Sequence, residues 1–205
     1  MLTVTMKQIL LLYSILLVSC NQNTKTQNRN IQKHNRENYA IELINSDFLK
    51  YADSSKVDSL KTQLIKSFDI YDDENFRIAD IDAEELSEFN FDFFLPDLNK
   101  ILAKRDIKLS VQKLNDKENS YDILFNGDTI KLYTEEELNK GTFWDTAPRN
   151  FFQKLNEILK TKNSNENFYL LYGGNDLHAI LLTERQLSII EEYYKKEPKE
   201  IPYRP

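Results

Sequence analysis

An apolar run near the amino terminus, followed at once by a polar stretch, limits where this chain can build a core. Residues 9–18 are almost wholly apolar, and Lys7 places a positive charge just before them. Such a run is too short to cross a bilayer as a helix but suits the central segment of an export signal. Residues 21–36 are polar or basic apart from Ile31. The sequence therefore predicts that the folded domain begins after residue 36.

Cys20 follows the apolar run and is the only cysteine of the chain. The stretch Leu17-Val18-Ser19-Cys20 resembles the lipobox of bacterial lipoproteins, in which a small residue precedes an invariant cysteine. The resemblance covers residues 6–20 only. It implies that residues 1–19 are a signal peptide and that Cys20 carries a lipid, such as palmitate, as the mature amino terminus. An ordinary secretory signal with a chance cysteine is the alternative.

The remaining chain divides into a tether, one domain and a tail. Residues 20–36 comprise the lipidated cysteine and a tether that is expected to be disordered, because it has almost nothing to bury. Residues 37–198 form one domain, and residues 199–205 form an extended tail rich in proline. Acidic clusters just after the cysteine resemble the signals that send some lipoproteins to the cell surface. Their absence favours a lipid-anchored protein of the cell envelope, at the outer membrane facing the periplasm.

Apolar spacing predicts an α+β fold in which helices precede the strands. A spacing of three and four predicts helices over residues 37–52 and 57–68 and a further helix that ends near Arg105. The period then changes to two, which predicts strands over residues 107–111 and 121–125 and a return strand over residues 129–133.

The second half of the chain adds two strands and further helices. Asn126-Gly127 predicts a hairpin turn, and the continuous apolar run of residues 168–172 is typical of a central strand. The elements from Ile107 onward are interpreted as β-β-β-α-β-β-α. Short connections make the strand pairs antiparallel, so we expect a largely antiparallel five-stranded sheet with packed helices. Helix-capping pairs are expected at Ser55 and Asp58, Asp82 and Glu85, Thr134 and Glu137, and Thr183 and Gln186.

Negative charge is concentrated in one segment. Between Asp69 and Asp97 the chain carries eleven acidic residues and a single base, Arg77. Nucleic-acid binding requires lysine and arginine for phosphate contacts, so nucleic acid is an unsuitable partner. Phe89, Phe91 and Phe93 lie among the acids and are either anchors of an interface or part of the core.

Catalytic and metal-binding patterns are missing from the sequence. The two histidines, His34 and His178, have no HExxH, paired-cysteine or His-x-His context, so no zinc site is expected. The run that starts at Asp80 does not fit a calcium loop, because Glu85 replaces the required glycine and Phe91 the required glutamate. No nucleotide loop or nucleophile motif occurs. We therefore predict no catalytic residues, no metal and no cofactor.

These observations favour a non-enzymatic binding protein, anchored to the membrane through the lipid on Cys20. Acidic surfaces complement basic proteins, as in an immunity-type inhibitor of a cationic toxin domain. The residues predicted to contact such a basic protein partner are Asp72, Asp73, Glu84, Glu85 and Glu88. Two alternatives remain open at this stage: an envelope hydrolase that uses a pair of carboxylates, and a structural envelope lipoprotein without a ligand.

Overall fold

The computed structural model describes residues 35–114 and 121–205, which form helices and two small antiparallel sheets. The lipobox, Cys20 and the tether up to residue 34 lie outside the described residues. The helices cover residues 35–45 (α1), Val57–Ser67 (α2), Ala83–Ser87 (α3), Leu95–Ala103 (α4), Glu135–Lys140 (α5), Phe143–Thr161 (α6) and Glu184–Tyr193 (α7). The strands are Ile78–Asp80 (β1), Val111–Lys113 (β2), Asp122–Phe125 (β3), Asp128–Lys131 (β4), Glu166–Leu171 (β5) and His178–Thr183 (β6).

The α+β class is confirmed, but the expected five-stranded sheet is wrong. The strands form two separate three-stranded sheets, with the orders β1-β6-β5 and β2-β3-β4, and every pairing is antiparallel. The strand that sequence reasoning left out of the sheet is β1, which is three residues long and pairs Ile78 with Ile180. Three residues are too few to show a period, and the partner strand is about 100 residues away along the chain.

The first sheet, β1-β6-β5, has both faces buried. Alternate residues of its strands belong to two different hydrophobic clusters. Phe168 and Leu181 face a cluster formed with α3, α4, α6 and β3, whereas Tyr169 and Ile180 face a cluster formed with α1, α2 and α7. This double burial explains the continuous apolar run of β5. The expectation that this run is a central strand is wrong, because β6 occupies the centre and β5 lies at the edge.

The outer edge of β5 is hydrogen-bonded to a side chain of α6 and to the carboxyl-terminal residues of the chain. The side-chain amide of Asn156 in α6 accepts from the Phe168 amide at 2.7 Å and donates to the Phe168 carbonyl at 3.0 Å. Two residues further on, Leu170 and Tyr203 exchange two backbone hydrogen bonds of 2.8 Å. The unpaired backbone groups of an edge strand can pair with another chain and so cause aggregation. These contacts supply hydrogen-bond partners for the backbone of β5 at that edge. Residues of the expected tail therefore lie against the domain.

The second sheet confirms the hairpin and corrects one strand. Asn126 and Gly127 have φ values of 50° and 94°, as a tight turn between β3 and β4 requires. β2 covers Val111–Lys113, so the strand expected over residues 107–111 is displaced toward the carboxyl terminus. The backbone of Leu109 instead pairs with the side chain of Asn99 in α4, at 2.8 and 3.0 Å.

Two of the expected capping boxes are confirmed, at Thr134 with Glu137 and at Thr183 with Gln186. Asp82 caps α3 by accepting from the backbone amides of Glu84 and Glu85. The expected box at Ser55 is wrong, because α2 begins after Lys56 without a side-chain cap.

Buried charges connect the helical amino-terminal region to the first sheet. Arg77, which is 1% exposed, donates to Glu166 at 2.7 Å and to the backbone carbonyls of Phe48, Asp47 and Leu181. Arg105 donates to the other oxygen of Glu166 at 2.8 Å. Burial alone would raise the pKa of Glu166, but the two guanidiniums outweigh it and hold that pKa below its usual value.

Candidate functional site

The carboxylates of the acidic segment Asp69–Asp97 lie on the surface, although much of its apolar sequence is buried. None of its eleven carboxylates is buried, whereas its one base, Arg77, is buried and engaged by Glu166. The positive charge within the segment is therefore unable to offset the surface acids nearby. The surface around the segment is therefore strongly negative, and this charge is not required for packing of the core.

Four of these acids border a cleft of about 390 Å³, which we call the acidic cleft. The cleft lies beside β1, and its walls come from the turn before β1, from α4 and from the start of β6. It is lined by Tyr71, Asp73, Glu74, Phe76, Ile78, Ala79, Asp80, Asp97, Lys100, Ile101 and His178. An apolar floor with a charged rim is the usual composition of a site that binds by burying one part of a ligand and orienting another.

The turn that carries Asp73 and Glu74 is held by side-chain hydrogen bonds. Asp72 accepts from the Glu74 amide at 3.0 Å and so caps the short 3-10 helix Asp73–Asn75. The buried Asn75 side chain donates to the Ile70 carbonyl at 3.2 Å and accepts from the Arg77 amide at 2.8 Å. The acids of this turn are thus presented from a fixed backbone.

The cleft acids have only exposed and partial counter-charges. Glu74 pairs with Lys56 at 2.9 Å and Asp97 with Lys100 at 2.6 Å, and the hydrogen bond in each pair raises the pKa of the lysine. Exposed pairs of this kind are weak and exchange easily with another cation. Asp73 has no ion pair among residues 35–114 and 121–205. A basic ligand could therefore replace these contacts without disturbing the fold.

His178 meets Asp80 at the end of the sheet. The two residues are register partners in β6 and β1, and the His178 Nδ1 lies 3.6 Å from an Asp80 carboxylate oxygen. The rings of His178 and Tyr172 also form a T-shaped pair, with 6.0 Å between ring centroids. The register of β6 with β1 therefore places the histidine of the cleft beside Asp80.

Tyr71, which lines the cleft, is hydrogen-bonded to Tyr172 and Glu200 behind it. The Tyr71 and Tyr172 hydroxyls donate to the same Glu200 carboxylate oxygen, at 2.8 and 2.5 Å, and the two hydroxyl oxygens lie 2.9 Å apart. Burial, together with these hydrogen bonds, raises the pKa of Tyr71 well above its usual range. This network fixes the carboxyl-terminal 3-10 helix Pro198–Glu200 beside the cleft.

Only one of the five acids predicted to contact a partner lines the acidic cleft. That residue is Asp73, and Asp72 caps the turn beside it. Glu84 and Glu85 lie in the first turn of α3 and Glu88 at its end, so the structure groups these three on a different element. Sequence reasoning did not select Glu74, Asp80 and Asp97, although they lie within the same acidic segment.

The aromatic residues of the segment divide between core and surface. Phe91 is buried in the larger cluster, and Phe89 packs against that cluster. Phe93 alone of the three is exposed, at 47%. The interpretation of all three as interface anchors is therefore wrong, because two of them stabilise the core.

The chemistry of the cleft is that of charge and aromatic surface. Its ionisable lining side chains are four carboxylates, Lys100, His178 and Tyr71, and the lining contains no serine, threonine or cysteine. Within the described part of the chain, no group of three or more histidine, cysteine or carboxylate side chains is arranged to hold a metal ion. With four carboxylates and one lysine in its lining, the cleft is suited to attract a positively charged surface.

Comparison with known protein families, with curated protein sequences and with solved structures gave no match for this chain. Among the residues that the structure describes, no helix combines the length and apolar character needed to cross a membrane.

Proposed function

We propose that this chain is a lipid-anchored protein of the cell envelope whose domain binds a basic protein partner at the acidic cleft, without catalysing a reaction. The observation that supports the proposal is the placement of Asp73, Glu74, Asp80 and Asp97 around an apolar floor. The sequence feature that supports the anchor is the lipobox ending at Cys20.

The charge distribution supports a protein partner with positive charge. Carboxylates around a cleft attract a cationic surface from a distance and so accelerate its association. Phe76, the half-buried apolar residue of the lining, then offers apolar area that a docked side chain can bury. Charge would set the association rate, and the apolar contact would set the lifetime of the complex.

The binding proposal is tested with a cleft variant in which Asp73→Asn, Glu74→Gln, Asp80→Asn and Asp97→Asn are combined. An octa-arginine peptide is the probe, and its affinity is measured by calorimetry at several salt concentrations. We expect the cleft variant to lose roughly tenfold in affinity at low salt and to show a smaller salt dependence.

A matched variant controls for the total charge. Glu42→Gln, Asp58→Asn, Glu135→Gln and Glu191→Gln remove the same number of negative charges from exposed residues outside the cleft. This control should bind the probe within about twofold of the unaltered protein, because only distant and screened charges have changed. Equal losses in the two variants would contradict a binding site at the cleft.

The anchor is tested at Cys20. Cys20→Ala should abolish incorporation of radioactive palmitate, and the protein should move to the aqueous phase of a detergent partition. Label and detergent partition that persist in Cys20→Ala would overturn the proposed anchor.

A further inference from the structure

A second groove lies on the other side of the turn between β5 and β6. Its volume is about 430 Å³, and we call it the tryptophan groove. It is lined by Ala83, Gly141, Thr142, Trp144, Asp145, Pro148, Leu170, Gly173, Gly174, Leu177 and Tyr203. Leu177 borders this groove, and the next residue, His178, borders the acidic cleft.

Trp144 forms part of the wall of this groove and is 49% exposed to solvent. It occupies the first turn of α6 and its ring packs against Phe143, with 5.1 Å between ring centroids. Leu170 and Leu177, both buried, supply apolar lining. A half-exposed tryptophan beside apolar lining is the type of residue that most often dominates the affinity of a protein interface.

The turn between the strands keeps the groove open. Gly173 and Gly174 are exposed, and a Cβ added to either would meet no atom within 4 Å. Gly174 has a φ of 60°, a conformation that favours glycine. The main chain of this turn is therefore accessible to a ligand that lies in the groove.

The surroundings of the groove are negative. Glu84, adjacent to the lining residue Ala83, accepts a hydrogen bond from Asn175 at 3.3 Å, and Asp176 lies in the same turn. Neither Glu84 nor Asp176 has an ion pair within the described residues. The nearby base Arg149 is compensated by Asp145 at 2.8 Å.

Tyr203, a lining residue of the groove, already makes a contact of the kind that Trp144 could offer to a ligand. The guanidinium of Arg149 lies over the ring of Tyr203, at 5.0 Å from its centroid. Planar guanidiniums stack on aromatic faces more readily than ammonium groups, and tryptophan is the best acceptor of such cations.

From this geometry we infer that the tryptophan groove binds an arginine side chain of the same basic protein partner, with its guanidinium stacked on Trp144 and paired with Glu84. The inference rests on the proposed function and adds an anchor and a side-chain preference to it. The acidic cleft and the tryptophan groove then act together: the cleft attracts the partner, and Trp144 retains it.

The sequence supplies a direct reporter, because Trp144 is the only tryptophan of the chain. Titration with a hexa-arginine peptide should change the tryptophan emission in a saturable way, and a hexa-lysine peptide of equal charge should produce a clearly smaller change. By calorimetry, Trp144→Ala should weaken hexa-arginine binding roughly tenfold. Phe93→Ala is the matched control, since Phe93 is equally exposed but lines neither depression, and it should bind within about twofold of the unaltered protein.

The outcomes separate this inference from the proposed function. Peptide binding that depends on the cleft acids but leaves the emission of Trp144 unchanged would overturn the anchor alone. Saturable emission changes that persist in the cleft variant would support the anchor and contradict the cleft. Equal responses to hexa-lysine and hexa-arginine would overturn the arginine preference, and a response to a chito-oligosaccharide in place of the peptides would identify the groove as a glycan site and overturn the inference.

Discussion

Two charged regions of this molecule differ in the way their charges are compensated. Glu166 is 5% exposed and is held between Arg77 and Arg105, so its buried charge is fully paired. The carboxylates of the acidic cleft are accessible to solvent and have only exposed partners or none. A buried charge without compensation is strongly unfavourable, whereas an exposed one is tolerated at little expense. The first region therefore maintains the fold, and the second is free to serve a partner.

The largest expected effect comes from Glu166→Gln. The substitution preserves the shape of the side chain but leaves two buried guanidiniums without their counter-charge. We expect the free energy of unfolding, measured in urea, to fall by about 3–5 kcal/mol. For a domain of this size the thermal midpoint should fall by about 10 °C.

Glu74→Gln provides the comparison for this variant, because Glu74 also pairs with a base but does so on the surface, with Lys56. Its midpoint should stay close to that of the unaltered protein. If the two substitutions had similar effects, the distinction between a structural and a displaceable carboxylate would fail.

Arg105→Met should have a smaller effect than Glu166→Gln. Glu166 keeps its contact with Arg77, and the buried charges that remain are balanced. We expect a loss of about 2 kcal/mol in the free energy of unfolding, from the hydrogen bonds to Glu166 and to the carbonyls of Phe76 and Ile101. A loss larger than that of Glu166→Gln would show that Arg105, and not Glu166, is the centre of the cluster.

The pH dependence of stability provides a third comparison. The pKa of Glu166 is lower in the folded protein than the usual 4.5, so the unfolded chain binds this proton more readily. The contribution of Glu166 is therefore present above about pH 4.5 and is lost as the pH falls through the folded pKa. The stability difference between the unaltered protein and Glu166→Gln should shrink over that range. A difference that is constant from pH 7 to pH 3 would contradict the assignment.

The local parts of this fold were predictable from the sequence, and the long-range parts were not. Thr134 and Thr183 cap their helices through a residue three positions away, and Asn126-Gly127 closes a two-residue turn. Such signals depend only on neighbours in the chain. The pairing of Ile78 with Ile180 depends on packing between distant segments, and no local pattern in a three-residue strand reports it.

The same division applies to the candidate site. The acidic segment is visible in the sequence as charge, and its exposure follows from the difficulty of burying carboxylates. Which acids contact a partner stays a prediction, and the sequence does not show which of them lie together because the fold decides it: His178 reaches Asp80 through the register of β6 with β1. Glu166 was overlooked because it stands in the polar stretch just before the apolar run of residues 168–172, where an exposed carboxylate is expected, and its two arginine partners lie 89 and 61 residues away.

The smallest expected effect is on the stability of the cleft variant, in which Asp73, Glu74, Asp80 and Asp97 are neutralised together. The substitutions remove two exposed ion pairs, which are weak, and they also remove repulsion between like charges around the cleft. These contributions oppose each other, so the thermal midpoint should change by no more than about 2 °C, and the change should disappear at high salt because exposed charges are screened.

The four matched substitutions outside the cleft, at Glu42, Asp58, Glu135 and Glu191, provide the reference. A loss comparable to that of Glu166→Gln would mean that the cleft acids hold the fold together, and the contrast between the two charged regions would be withdrawn. An unchanged or slightly raised midpoint, combined with weaker binding of the arginine peptide, would show that these carboxylates are retained for a partner and not for stability.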